Sequence, residues 1–519
     1  LIRLSVVVLF TALGAFATPG CISRTYDYGT VCVCNSTYCD DIAALGTISV
    51  GTAVVYRSTA NGSRMDRTVV TQSSQPTGLV ATLDPSIVYQ EIIGFGGAFT
   101  DSTGQNLLTL PKAARDVFMK QYFGPTGTEY TLGRVPMAST DFSLRQYGYA
   151  DEDGDFNLTS FALANEDFQY KIPFIKQAMD LAKTTIGGLK LFASPWSAPA
   201  WMKTNEAMQG GGKLKGEFGG QYYVTWSNYF VKFFEAYAAQ GINYWGVTIQ
   251  NEPTTGLNPD WLWQTMFFDA PMERDFVRDL LGPALKSSNA SKDVLIMALD
   301  DQRFMLPFWA DVMFEDAKVD ELVSGIALHW YEDDIFPVSA LTTTHEKHPN
   351  KFLLNTEACN GWKEEQGRGV KLGDFSRAER YAHSIIEDLN HWVGGWTDWN
   401  MALDIHGGYN WALNYVDSPI IVETNNGEFL KQPMYYIMAH FSKFLKPGAH
   451  VVKLDLPTLP TNVEAVGAVM TDGKRFVGIL NRNDSENVTI SLKESHIDGV
   501  YTNIEVPSHS VITVIWNKY

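Results

Sequence analysis

The chain has 519 residues, of which 45% are hydrophobic, 13% aromatic and 19% charged, enough to build the cores of two or three domains. Its 40 basic residues against 58 acidic ones leave a net charge of -18. That balance argues against a nucleic-acid partner and leaves no polybasic handle for anionic lipid, so the expected ligand is neutral or the working pH is acidic.

In chain order, Leu1-Ile2-Arg3-Leu4-Ser5 opens a mostly apolar stretch that ends Ala15-Phe16-Ala17 before Thr18-Pro19-Gly20. A basic start, an apolar centre and a small-residue cleavage site describe a secretory signal, so residues 1 to 17 are excluded from the fold. No later stretch has the roughly 18 consecutive apolar residues of a membrane span, and a soluble mature protein is expected. Export makes the cysteines legible. Cys21, Cys32, Cys34 and Cys39 cluster, while Cys359 is far away. A zinc site would want a nearby His, and there is none, so two disulfides are preferred. Three connectivities are open, and adjacent pairing, Cys21 with Cys32 and Cys34 with Cys39, is the one adopted. Six glycosylation sequons, at Asn35, Asn61, Asn157, Asn289, Asn483 and Asn487, agree with an exported glycoprotein.

Residues 18–45 read as a small disulfide-stapled β unit. Residues 46–90 hold short alternating runs, such as Gly46-Thr-Ile-Ser-Val-Gly-Thr-Ala-Val-Val-Tyr, typical of strands. From 91 to 440 the pattern changes to eight short apolar runs separated by helical stretches, beginning at Ile92, Tyr130, Leu189, Tyr244, Val294, Gly325, Phe352 and Trp396. Trp226, Tyr229, Phe230, Phe233 and Tyr237 recur at helical spacing over 222–240 and stop at Gly241. Eight buried-type strands alternating with helices predict an α/β fold, a (β/α)8 TIM barrel. A doubly wound sheet is the competitor, but Gly94-Phe-Gly-Gly lacks the spacing of a dinucleotide fingerprint. Alternating runs return over 441–519, so the two ends are expected to meet in one accessory β-sandwich.

Two of the apolar runs end in glutamates: Thr248-Ile-Gln-Asn-Glu252-Pro and Phe352-Leu-Leu-Asn-Thr-Glu357. Cleaving a glycosidic bond needs one carboxylic acid to protonate the leaving oxygen and one carboxylate to attack or to activate water. Strand ends of a barrel face a common cleft, which makes Glu252 and Glu357 the candidate catalytic pair. Arg134, Asp141, Trp196, Asn251, His329, Tyr331 and Trp399 also fall at or just after strand ends, as a polar and aromatic sugar cleft would require. His329 has no second His at ligand spacing, so no metal is expected, and no cofactor motif is present. Cys359 reads as a packed thiol, and Ser139 and Ser194 lack a nucleophile elbow.

These motifs, with Ala193-Ser-Pro-Trp, Leu299-Asp-Asp-Gln-Arg, Gly395-Trp-Thr-Asp-Trp-Asn and His440-Phe-Ser-Lys-Phe, resemble the glucosylceramidases of glycoside hydrolase family 30 from Cys21 to the C-terminus. The resemblance implies that Glu252 is the acid/base and Glu357 the nucleophile of a retaining β-glucosidase. It implies that Asp141, Trp196, Asn251, Trp399 and Asn414 bind the glucose, and that Arg134, His329 and Tyr331 hold the two carboxylates. It further implies two N-terminal disulfides, glucosylceramide as substrate, peripheral contact with a membrane surface or anionic lipid, a saposin-like activator and a lysosomal or secreted destination. A β-1,6-glucanase or xylanase of the same family, or a non-catalytic glycan or lipid binder, is the alternative. The chain departs from vertebrate members at Thr140, at Gln250, where they carry an acidic residue, and in the loop Asn360–Gly369.

Overall fold

The computed structural model describes residues 20–519; the proposed signal segment lies outside them. Eight parallel strands close a barrel in sequence order: β1 Gly94–Ala98, β2 Leu132–Met137, β3 Lys190–Pro195, β4 Gly246–Thr248, β5 Leu295–Gln302, β6 Val323–His329, β7 Phe352–Glu357 and β8 Val393–Asn400. The doubly wound alternative is thereby excluded. Leu132, Phe192, Met297, Ala327 and Leu354, from five of these strands, form a buried cluster that plugs one level of the lumen. The strand termini beyond it are free to carry polar side chains. Strand β1 is rich in glycine because neighbouring backbone comes so close: a Cβ on Gly96 would collide with the carbonyl of Leu132. The aromatic helix forms as the spacing predicts, over Gln221–Ala239, with Trp226, Tyr229, Phe230, Phe233 and Tyr237 all buried. Gly241 ends it in the left-handed conformation, at φ 79°, with its N–H on Ala238 O.

Both ends of the chain meet in one nine-stranded sheet. It joins Thr52–Thr59, Asp66–Thr71 and Leu79–Glu91 with five later hairpin-rich strands from Val463 onward and with His450–Asp455. Alternate residues of these strands, among them Val55, Leu83, Val452, Ile479, Ile490, Val514 and Trp516, meet in a core of their own, the interior of the β-sandwich. The opposite face packs on the barrel helix Pro433–Ser442. There His440 is buried between Ser58 Oγ at 2.9 Å and Thr513 Oγ1 at 3.0 Å, and burial drives its pKa down to about 3. A neutral imidazole therefore bridges the two domains.

The small N-terminal unit is less local than the sequence suggests. Ser23–Tyr26 and Gly29–Cys34 form a hairpin, but three strands that belong to the range expected for the barrel complete its sheet: Leu403–Asp404, Ile420–Glu423 and Glu428–Lys431. An isolated hairpin is marginal in water, and these strands supply the missing partners. The disulfides are Cys21–Cys32 and Cys34–Cys39. Of the sequon asparagines, Asn61, Asn157, Asn289 and Asn487 are exposed, and Asn35 and Asn483 are half-buried at the surface. Among the described residues no helix is long and apolar enough to cross a membrane.

Candidate active site

The residues singled out in the sequence converge at the C-terminal end of the barrel. Arg134, from β2, is fully buried and is the hub. Its Nη1 donates to Glu357 Oε2, its Nη2 to Asp300 Oδ2 and Asn251 Oδ1, both at 2.8 Å, and its Nε to Ser194 Oγ at 3.1 Å. The guanidinium lies 4.8 Å from the ring of Trp196 and 5.5 Å from that of Trp399, and those two rings stack at 5.1 Å. A planar five-donor fork suits this post, which a lysine could not fill.

Asp300 answers it from β5. Its Oδ2 also accepts from Thr248 Oγ1 at 2.6 Å, and its Oδ1 accepts from Thr356 Oγ1 at 2.6 Å and His329 Nε2 at 3.1 Å. Burial would raise the Asp300 pKa, but Arg134 and then His329 hold it well below the usual carboxylate range. His329 responds in kind. Burial alone would lower its pKa, whereas Glu357, Asp300 and Glu252 together push it up to about 10. The three carboxylates thus favour its protonated form, in which Nδ1 would donate to Glu252 Oε1, 3.2 Å away.

Gln302 Nε2 approaches the same Oε1 of Glu252 at 3.3 Å, so a proton on this carboxyl belongs on Oε2. Tyr331 donates to Glu357 Oε1 at 2.6 Å. Burial raises the pKa of Glu357, the charges of His329 and Arg134 pull it back, and Glu252 adds to the rise. Oxygens of Glu252 and Glu357 and a ring nitrogen of His329 all lie within 4.8 Å of one another. Such close approach is in keeping with the roughly 5 to 5.5 Å carboxyl separation of retaining glycosidases.

Asp141, in the loop after β2, accepts from Asn414 Nδ2 at 2.9 Å and Asn410 Nδ2 at 3.3 Å; burial pushes its pKa up to about 7 against these donors. Gln250, in a position where an acidic side chain could not donate when ionised, gives its N–H groups to Trp196 O at 2.7 Å and Asn251 O at 3.0 Å. Cys359 is buried behind Glu357, its sulfur 3.6 Å from Tyr331 Oη and its thiol pKa pushed well up by burial.

A cavity of about 760 Å³ opens above this cluster. Asp141, Trp196, Asn251, Glu252, Glu357, Trp399 and Asn414 line it, and so do Trp261, Leu262, Phe304, Phe336 and Trp362. Leu262 is more than 60% exposed, as are Leu257 and Ile335, each next in sequence to a residue that lines the cavity. Arg134 and His329 sit beneath the floor.

Three members of the site, Asp300, Asp301 and Gln302, have no role in the reading from sequence, although they come at the end of an apolar run just as Glu252 and Glu357 do. What delivers them is a bulge. Leu299 and Asp300 have φ of 75° and 55°, and the ladder to β6 slips between Leu299 and Asp301. Neither is a glycine, and two successive left-handed residues are a strained arrangement of the kind that gathers at functional sites. The bulge turns Asp300 onto Arg134 and Asp301 into the cavity. Glu252 is itself left-handed, at φ 41°, with its N–H on Asp300 O at 3.0 Å.

Two descriptions of one family cover the chain: the Glycosyl hydrolase family 30 TIM-barrel domain matches residues 92–445 and the Glycosyl hydrolase family 30 beta sandwich domain residues 448–514. The chain belongs to glycosyl hydrolase family 30. Within it, this glycosidase is 48% identical to putative glucosylceramidase 4 of Caenorhabditis elegans over 98% of each chain. It is 43% identical to lysosomal acid glucosylceramidase of Mus musculus over 99% of each. Among solved structures it is similar to SrfJ from Salmonella typhimurium, with a TM-score of 0.82 and 27% identity over 90% of this chain and 100% of that one.

Several buried carboxyls tie the stability of this family-30 enzyme to pH. Burial raises the pKa of Asp141, Asp301 and Asp388 to about 7 and that of Glu273 to about 8. A raised folded pKa means that the folded state binds more protons than the unfolded one, so this contribution is full below the ordinary carboxylate range and lost as pH rises through 7 to 8. Asp300 acts in the opposite sense, losing its contribution only as pH falls below that range, and so does the buried neutral His440, whose smaller opposing contribution is lost as pH falls below the ordinary imidazole range. Thermal unfolding should therefore give a Tm several degrees higher at pH 5.5 than at pH 8; a higher Tm at pH 8 would contradict the charge states assigned to the buried carboxyls.

Proposed function

We propose that this glycosidase hydrolyses β-glucosylceramide with retention of configuration, in the acidic lumen of the lysosome or after secretion. The observation that carries the proposal is the approach of an oxygen of Glu252 to one of Glu357 within 4.8 Å, in a cavity lined by both polar and large aromatic or apolar side chains. The polar side chains suit one sugar ring, and the apolar ones suit the hydrocarbon of a lipid aglycone at a membrane surface. The names of the worm and mouse relatives support the same substrate.

In the first step Glu357 attacks the anomeric carbon while Glu252, protonated on Oε2, gives that proton to the glycosidic oxygen; the C–O bond breaks and ceramide leaves as its alcohol. In the second, Glu252 takes a proton from water, whose oxygen displaces Glu357 and yields β-glucose. Asp141, Asn251 and Asn414 provide sugar-binding polar groups, with Trp196 and Trp399 as an aromatic wall. Arg134, His329 and Tyr331 keep the carboxyls in place. Peripheral docking on anionic lipid and a saposin-like activator belong to this proposal, as do carbohydrate at the six sequons and removal of residues 1–17.

Glu252→Gln should lose about 10² to 10⁴ in kcat on glucosylceramide, whose alkoxide is a poor leaving group, yet still release dinitrophenolate, which needs no proton, in a burst. Equal losses on both substrates would remove Glu252 from the acid role. The substrate itself is tested by assaying the enzyme side by side on glucosylceramide in phosphatidylserine vesicles, β-1,6-glucan and xylan at pH 5. Release of ceramide and glucose is expected. Preferential cleavage of either polysaccharide would overturn the lipid reading, and inactivity on a fluorogenic β-glucoside would favour a binding protein.

A further inference from the structure

The loop after β7 is closed at its neck by Gly369 N–H on Gly361 O at 2.8 Å, with Gly361, Gly367 and Gly369 at φ of 84°, 75° and 78°. Buried Arg377, from helix Phe375–Asn390, clamps it by donating to Gly369 O at 2.7 Å and to Asp417, which it also pairs as an ion. The loop is therefore held in one shape, and it brings Trp362 and Arg368 to the cavity. Arg368 is exposed to solvent, but its Nη2 donates to Asn414 Oδ1 at 2.6 Å.

The two ends of a carboxamide have nearly the same shape and differ in that one donates and the other accepts. A guanidinium can only donate, so Arg368 requires the oxygen of Asn414 to face it and turns the NH2 toward Asp141, 2.9 Å away. Backbone bonds already fix the main chain here: Asn410 Oδ1 accepts from Asn414 N at 3.1 Å, and Asn410 Nδ2 donates to Asn414 O at 3.1 Å. What they leave undetermined is the side-chain orientation. Flipped, Asn414 would set its oxygen against Asp141 Oδ2, which would retain only the longer bond from Asn410.

We propose that Arg368 is a positioning residue for sugar recognition, acting through the Asn414 amide on Asp141. The proposal rests on the reading of Asp141 and Asn414 as sugar-binding groups. Because Arg368 is exposed and its loop is clamped by Arg377, Arg368→Ala should fold with an unchanged Tm.

The test is steady-state hydrolysis of 4-methylumbelliferyl β-glucoside by the full chain. Arg368→Ala should raise KM about tenfold with little change in kcat, the scale of one charge-assisted hydrogen bond. Arg368→Lys, which restores a donor without the planar fork, should recover part of the loss. In an Asn414→Ala background, removal of Arg368 should cost nothing more, since the group it orients is gone. An unchanged KM, or the same loss with and without Asn414, would overturn the relay while leaving the sugar site intact. Absence of β-glucosidase activity in the unmodified enzyme would overturn the sugar-site reading and the relay with it.

Discussion

Glu357→Gln is expected to lower turnover by roughly 10⁵-fold or more, the scale seen when a covalent nucleophile is removed. The amide keeps the volume and can still face Arg134 and Tyr331, so the loss would be chemical and the Tm should move little. The diagnostic result is chemical rescue. With azide present, Glu357→Ala, which vacates the space the carboxylate fills, should form α-glucosyl azide from a dinitrophenyl β-glucoside, because azide must enter from the face the nucleophile occupied. A Glu252→Ala variant should form β-glucosyl azide, because there azide attacks the covalent intermediate on Glu357. Exchange of the two products between variants would exchange the roles. Rescue of neither, with full-length folded protein, would contradict covalent catalysis by this pair.

Arg134→Met should be the most destabilising change in the site. Removing the guanidinium leaves Asp300 and Glu357 buried without their cation, and breaking a buried pair in this way costs about 3 to 5 kcal/mol. For a domain of this size that is a fall in Tm of about 4 to 7 °C. Activity should change in a particular direction too. Arg134 is one of the charges that offset the effect of burial on Glu357, so without it the carboxyl keeps its proton to higher pH. A nucleophile must be ionised, so the acid limb of kcat/KM should move up in pH. Arg134→Lys keeps a charge but cannot span Glu357, Asp300, Asn251 and Ser194 at once, and should recover stability more than activity. An acid limb that stays in place in Arg134→Met would show that Arg134 serves the fold alone.

Much of this architecture is legible in the chain because the barrel repeats one local pattern. Each strand is a short apolar run, and the residues at or just after its C-terminal end point into the common cleft, which is why Glu252, Glu357 and His329 can be grouped from the sequence alone. Asn414 is accessible only through resemblance to a family, and nothing in the sequence pairs it with Asp141. They lie in irregular loops, 273 positions apart, and no local periodicity links them. Asp300 and Asp301 are hidden by the bulge at Leu299, where two left-handed residues occur without a glycine to announce them. The N-terminal sheet looks self-contained in the sequence because its remaining strands, Leu403–Asp404, Ile420–Glu423 and Glu428–Lys431, arrive from the far side of the barrel. Strand pairing across such separations leaves no trace in either segment alone. The role of Gln250 is of the same kind: its value lies in two N–H groups given to Trp196 and Asn251, and only the geometry shows who receives them.

The central claim is that Glu357 forms a covalent bond to the sugar, and it can be tested by trapping. A 2-deoxy-2-fluoro-β-glucoside with a dinitrophenyl leaving group slows the second step more than the first, so the intermediate accumulates on the enzyme. Peptide mass spectrometry should then find one 2-fluoroglucosyl group per chain, on Glu357, and none in Glu357→Gln. A label on any other residue, or complete inactivation without a label, would contradict the account.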